Sequence, residues 1–99
     1  MSGHGKRIIE ILAAFQARKD MYVSPVSPEE AEKFLVGFEV GCFACGIPLN
    51  WTDIAARRGW ENSVISPIVE MRSAGMSDDR IIDELISLRN DAAQQVRSA

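Results

Sequence analysis

Residues 51–70, WTDIAARRGWENSVISPIVE, constrain the fold more than any other stretch of the chain, because they read as a short helix, a glycine turn and a second helix. Ile54 and Ala55 fall midway along the first helix, where an apolar anchor must point inward and a small residue lets the next helix cross closely. Gly59 follows where a chain leaving a helix needs the left-handed backbone that glycine adopts without steric cost. Trp60 adds apolar bulk beside that turn, and Ile65 and Ile68 stand three apart on the inward side of the second helix. Asn50 and Asp53 are spaced as an N-cap and a first-turn acid.

The same reading extends to the rest of the chain. Ile8, Ile11, Leu12 and Phe15 predict a helix over about residues 5–18. Residues 19–27 read as a linker, because Pro25 and Pro28 push the residues before them into extended geometry. Ser27-Pro28-Glu29-Glu30 is a helix start, with a serine cap, proline at the first helical position and glutamate at the third. That second helix runs to about Cys45, before Gly46-Ile47-Pro48. Ser77-Asp78-Asp79 opens a last helix that reaches about residue 97, with Ile81, Ile82, Leu85, Ile86 and Leu88 in its apolar front half. Its back half, from Asn90, is polar and expected to fray or project. No alternating strand pattern competes. The expectation is one all-α domain over residues 1–99, a compact bundle of about five helices with loose ends at 1–5 and about 95–99.

Helix 28–45 is the most apolar part of the chain, and Phe34, Leu35, Phe38, Cys42 and Cys45 form its main stripe. Val36, Val40 and Phe43 cover other sides, which predicts a central helix contacted from several directions. Gly37 and Gly41 share a face and cost on the order of 1 kcal/mol each relative to alanine in a helix interior. Something must offset that cost. Close approach of another backbone would do so, either within the fold or from a second copy, and Phe34, Gly37, Phe38 and Gly41 are the candidate packing or dimer face.

The run Asp53-Ile54-Ala55, Gly59, Ile65 and Ile68-Val69 resembles the helix-turn-helix of bacterial repressors, over residues 51–70 only. The resemblance implies a second helix lying in the major groove with its early residues at base edges. On that basis Asn62, Ser63 and Ser66 are candidate DNA-facing residues, with Arg57 and Arg58 beside them. The proposed reading face is chemically poor, since Glu61 and Glu70 would oppose a polyanion and Pro67 has no backbone donor. Arg58 also stands where that family usually carries an apolar or small residue.

Charge points the same way. The net charge is −3 and the isoelectric point about 5.1, against the basic surface that non-specific nucleic-acid or anionic-membrane binding requires. The first twenty residues are locally basic through Lys6, Arg7, Arg18 and Lys19. Ile8–Phe15 is too short and too polar for a signal peptide or membrane span, so a cytoplasmic protein is expected. Cys42 and Cys45 are spaced for one helix face, yet a zinc site would need two further ligands, and the only histidine is His4 in a glycine-rich start. Two packed apolar thiols are the simpler reading, with a redox switch as the alternative. Asp78, Asp79, Asp83 and Glu84 read as capping and solvated charge rather than a cation site. Trp51 and Trp60 are expected to pack beneath the turn, and the serines have no histidine partner. No catalytic residue, cofactor or metal is expected. The function expected is a small helical interaction module, non-catalytic, that binds a protein partner or itself. The alternative is a helix-turn-helix regulator that binds DNA.

Overall fold

The computed structural model describes residues 2–60 and 67–98 of the chain. Its described residues form α1 (Ser2–Ala17), α2 (Lys19–Tyr22), α3 (Pro28–Ala44), α4 (Trp51–Arg57), α5 (Ile68–Ser73) and α6 (Asp78–Ser98), with no strand among them. The protein is an all-α bundle. No helix among the described residues is long and apolar enough to cross a membrane.

The helix ends follow local chemistry. Ser27 is extended, and its Oγ accepts a hydrogen bond from the Glu30 amide at 3.2 Å, with Pro28 at the first helical position. Ser77 accepts from the Arg80 amide at 3.3 Å in the same way. Asn50 stands at the N-cap of α4, but its side chain makes no capping bond, contrary to the expectation from its spacing. After α4 the chain turns through Gly59 at φ +99°, and the Trp60 amide bonds back to the Ala55 carbonyl at 2.9 Å. That closing bond satisfies a carbonyl the helix end would otherwise orphan. The segment read as a linker holds one extra turn, α2, because its first proline arrives only at Pro25; Val23 then becomes extended.

The central helix is α6, not α3 as the composition of residues 28–45 implied. α1, α3, α4 and α5 each pack on α6. Its Ile81, Ile82, Leu85, Ile86, Leu88, Ala92 and Ala93 are all buried, whereas α3 leaves Val36, Val40 and Phe43 in solvent. Burial of Ala92 and Ala93 also corrects the expectation of a projecting back half. Alanines there bring the α6 backbone close to its neighbours, and Val96 leans on the same core. On α1 the buried arc is Ile8, Leu12 and Phe15, spaced by four and three residues, while Ile11 lies outside it and is 43% exposed.

Polar contacts fasten the edges. Gln16 donates to Asp83 at 3.3 Å, and the Lys19 ammonium lies 3.4 Å from the same carboxylate. Arg72 of α5 forms a two-pronged pair with Glu29 in the first turn of α3, one prong measuring 2.9 Å. The guanidinium holds the Glu29 carboxyl below its ordinary range.

Candidate functional site

α3 has one buried side and one open side. Leu35, Ala31 and Cys42 face the core. Val36, Gly37, Val40, Gly41, Phe43 and Ala44 are exposed, and helical geometry gathers them on the opposite side over more than two turns. Val40 is 63% and Phe43 70% exposed, and Glu39, the charged residue between Val36 and Ala44, is turned away to Arg89. Lys33 stands at the N-terminal end of the stretch, with its ammonium 2.9 Å from Glu30. A Cβ built on Gly37 or Gly41 meets nothing within 4 Å. The two glycines therefore are not there for a neighbouring backbone within the fold, which overturns the intramolecular packing expected of them. Phe34 and Phe38 do not belong to the open face either. Both are half-buried against the core, and the Phe34 ring lies 4.4 Å from Phe15 and 5.4 Å from Tyr22, centroid to centroid. Beside the open face, Val40 and Phe43 run into a groove of about 340 Å³ closed by Pro48, Leu49, Asn50 and Glu39.

A buried charge cluster lies behind that face. Arg89 of α6 is 0% exposed. Its Nε donates to Glu39, its Nη1 donates to the Leu85 carbonyl at 3.3 Å, and its guanidinium lies 4.2 Å from the centre of the Trp51 ring. The Arg89 Nη2 is also 2.9 Å from Glu32 Oε1, an ion pair by distance that is not aligned as a hydrogen bond. Neither Glu32 oxygen has a hydrogen-bond partner. Glu32 and Glu39 are seven residues apart, two turns of one helix, so both reach the same cation. The cluster ties α3, α4 and α6 at one point, and with two carboxylates to one guanidinium it keeps an excess of negative charge. Trp51 thus packs under an arginine rather than under the glycine turn.

This cluster was missed by the sequence reading, although a signal was present. Arg89 lies four residues after Leu85 and four before Ala93, in the middle of the inward stripe of α6. A cation on such a stripe must find counter-charges on a facing helix, and the glutamates at a seven-residue interval offered them.

The residues tied to the helix-turn-helix resemblance are only partly placed. Asn62, Ser63 and Ser66, with Glu61 and Ile65, lie outside the described residues. Arg57 is exposed and donates to the Asp53 carbonyl of its own helix at 3.4 Å. Arg58 is turned onto α6, donating to Glu84 at 3.0 Å, to Ser87 at 3.2 Å and to Asp91. Trp60 Nε1 joins that group by donating to Glu84 at 3.3 Å. An arginine matched by two carboxylates is committed to the fold and is not held out toward a phosphate.

The cysteines divide. Cys42 is buried and Cys45 exposed, so they are not the two packed core thiols expected. Burial, with smaller contributions from Cys45 and Glu39, pushes the Cys42 thiol up from its ordinary range, the reverse of what a redox nucleophile needs. Among the described residues no group of three or more His, Cys, Asp or Glu side chains could hold a metal ion. The acids that cluster in sequence are dispersed: Asp83 goes to Gln16 and Lys19, Glu84 to Arg58 and Trp60, and Asp78 lies 3.7 Å from Arg72. No family model, curated protein or solved structure matches this chain.

Proposed function

We propose that this protein is a non-catalytic helical interaction module that docks a protein partner, or another copy of itself, through the open face of α3. The observation that supports it most is that the six exposed residues gathered on one face of α3, Val36, Gly37, Val40, Gly41, Phe43 and Ala44, are all uncharged on a chain in which a quarter of the residues are charged (25%). Large apolar side chains gathered on one exposed helix face mark an interaction surface more often than scattered ones do. Gly37 and Gly41 add a reason. They weaken α3 and gain nothing from the fold around them, so the compensation lies in what α3 meets from outside.

The test is a photocrosslinking amino acid placed at Phe43, with one at exposed Arg80 of α6 as the control, in cells that express the chain. The expected result is a discrete adduct from position 43 that position 80 does not give. No adduct at 43 beyond the control would sink the reading. The DNA-binding alternative has its own check. A labelled mixed-sequence duplex titrated with the protein at low salt is expected to show no rise in anisotropy, because Arg58 is already paired with Glu84 and Asp91. A rise that collapses as salt is added would bring that alternative forward.

A further inference from the structure

We infer that the outer stripe of α1 is a second docking surface, and that it takes an acidic amphipathic helix of a partner protein. This goes beyond the α3 face and does not depend on it. The chain holds 14 acidic residues against 11 basic ones, so carboxylates are not scarce. Among the described side chains, Lys19, Lys33, Arg58, Arg72 and Arg89 each lie against a carboxylate, and Arg57 donates to a carbonyl. The cations without such a partner gather at α1, with Arg80 of α6 the exception. Lys6 and Arg7 meet no acid, and the Arg18 guanidinium reaches only the Met21 sulfur, at 3.3 Å.

Helical spacing orders these residues. Arg7, Ile11, Ala14 and Arg18 follow one another by four, three and four residues, which sets them on one stripe, and all four are exposed. Arg18 directly follows α1, and its amide still bonds back to the Ala14 carbonyl at 3.1 Å, one turn away. The two arginines therefore bracket the stripe, about 16 Å apart along the axis. Ile11 and the small Ala14 lie between them, and exposed Met21 carries the apolar surface past Arg18.

A second helix matches that pattern. Positions eleven apart on a helix share a face, three turns along, so two carboxylates at that interval meet both arginines. Apolar residues between them then cover Ile11, and Ala14 lets the helices come close. Arginine suits carboxylates, because its planar fork donates two parallel hydrogen bonds. The surroundings favour a narrow partner. Glu10 and Asp20 are exposed nearby, and Glu10 points about 100° round the helix from Ile11. A helix about 10 Å across can lie along the arginines beside those acids. An anionic bilayer or a DNA duplex spreads its charge over a wider area that takes them in, on a protein of net charge −3.

The probe is a fluorescent synthetic peptide of about 18 residues, long enough to hold a helix alone, with two glutamates eleven apart and leucines between them. Titrated with the intact protein at low salt, it is expected to saturate below millimolar protein and to dissociate as salt rises. Arg7→Glu with Arg18→Glu is expected to weaken binding by about tenfold or more, while Arg80→Glu leaves it unchanged. A peptide with lysines in place of the glutamates should reverse the preference and bind the double variant better than wild type. Both substituted side chains are exposed, so the double variant should melt with wild type. No saturation at near-millimolar protein, or equal binding by wild type and the double variant, overturns the inference. So does binding of phosphatidylserine vesicles or a DNA duplex through the same arginines when the peptide stays unbound. The crosslink at position 43 reads α3 alone, so either face can fail while the other stands.

Discussion

Arg89→Ala is expected to cost about 3–5 kcal/mol of folding stability, read as a fall in the urea midpoint at unchanged slope. The loss does not come mainly from the contacts the guanidinium makes. It comes from Glu32 and Glu39, whose side chains are only 10% and 20% exposed and would be left facing each other beside Trp51 with no cation. One test separates this cause from simple loss of packing volume. A triple variant, Arg89→Met with Glu32→Leu and Glu39→Leu, should recover most of the loss, since replacing a whole buried ionic group by apolar residues is often neutral or better. A single-variant loss below about 1 kcal/mol would mean that water screens the cluster as it screens surface pairs.

Phe15→Ala should be comparably severe, at about 3–5 kcal/mol, the usual cost of emptying a buried aromatic site. Phe15 is 0% exposed and sits where three elements meet. Its ring is 4.4 Å from Phe34 of α3 and 5.7 Å, edge to face, from Tyr22 of α2. Removing it leaves a cavity between α1 and α3 and takes away one of the two rings that Tyr22 packs on in α2, a four-residue helix with no buried residue of its own. For a domain of this size each kcal/mol moves the melting point by roughly 4–8 °C, so the variant should melt about 12–40 °C lower. Hydrogen exchange at residues 19–22 should rise more than elsewhere. A melting point within a few degrees of wild type would mean that α1 and α3 collapse onto each other and fill the space.

Much of this architecture was legible in the residues. Ser27-Pro28 and Ser77-Asp78 start helices because a side-chain oxygen answers an orphaned amide locally, and such signals need no tertiary context. Gly59 turns the chain for an equally local reason. The ranking of helices was not legible. Apolar content made α3 look central, yet content does not say which face a neighbour takes, and α3 has more apolar surface than its neighbours cover. Burial of Arg89 was hidden by the same limit. An arginine in sequence reads as surface until the glutamates two turns apart on another helix are recognised as its partners. Of the candidate face, Gly37 and Gly41 were visible as an unexplained cost, while Val36, Val40 and Phe43 could be separated from Phe34 and Phe38 only once the core was known.

The position of α6 in chain order has a consequence for how the molecule comes into being. The four helices that depend on α6 are all synthesised before it, and Gln16 must wait for Asp83. A ribosome therefore releases most of the chain before the surface that organises it exists. During that interval the side of α1 that faces α6, Leu12 beside Ile86 included, has little to bury against, and the nascent chain is at its most vulnerable to aggregation or capture. Such long-range closure also slows folding relative to bundles built from neighbouring helices. A stop or frameshift within α6 would leave not a shortened bundle but a set of helices with no common support.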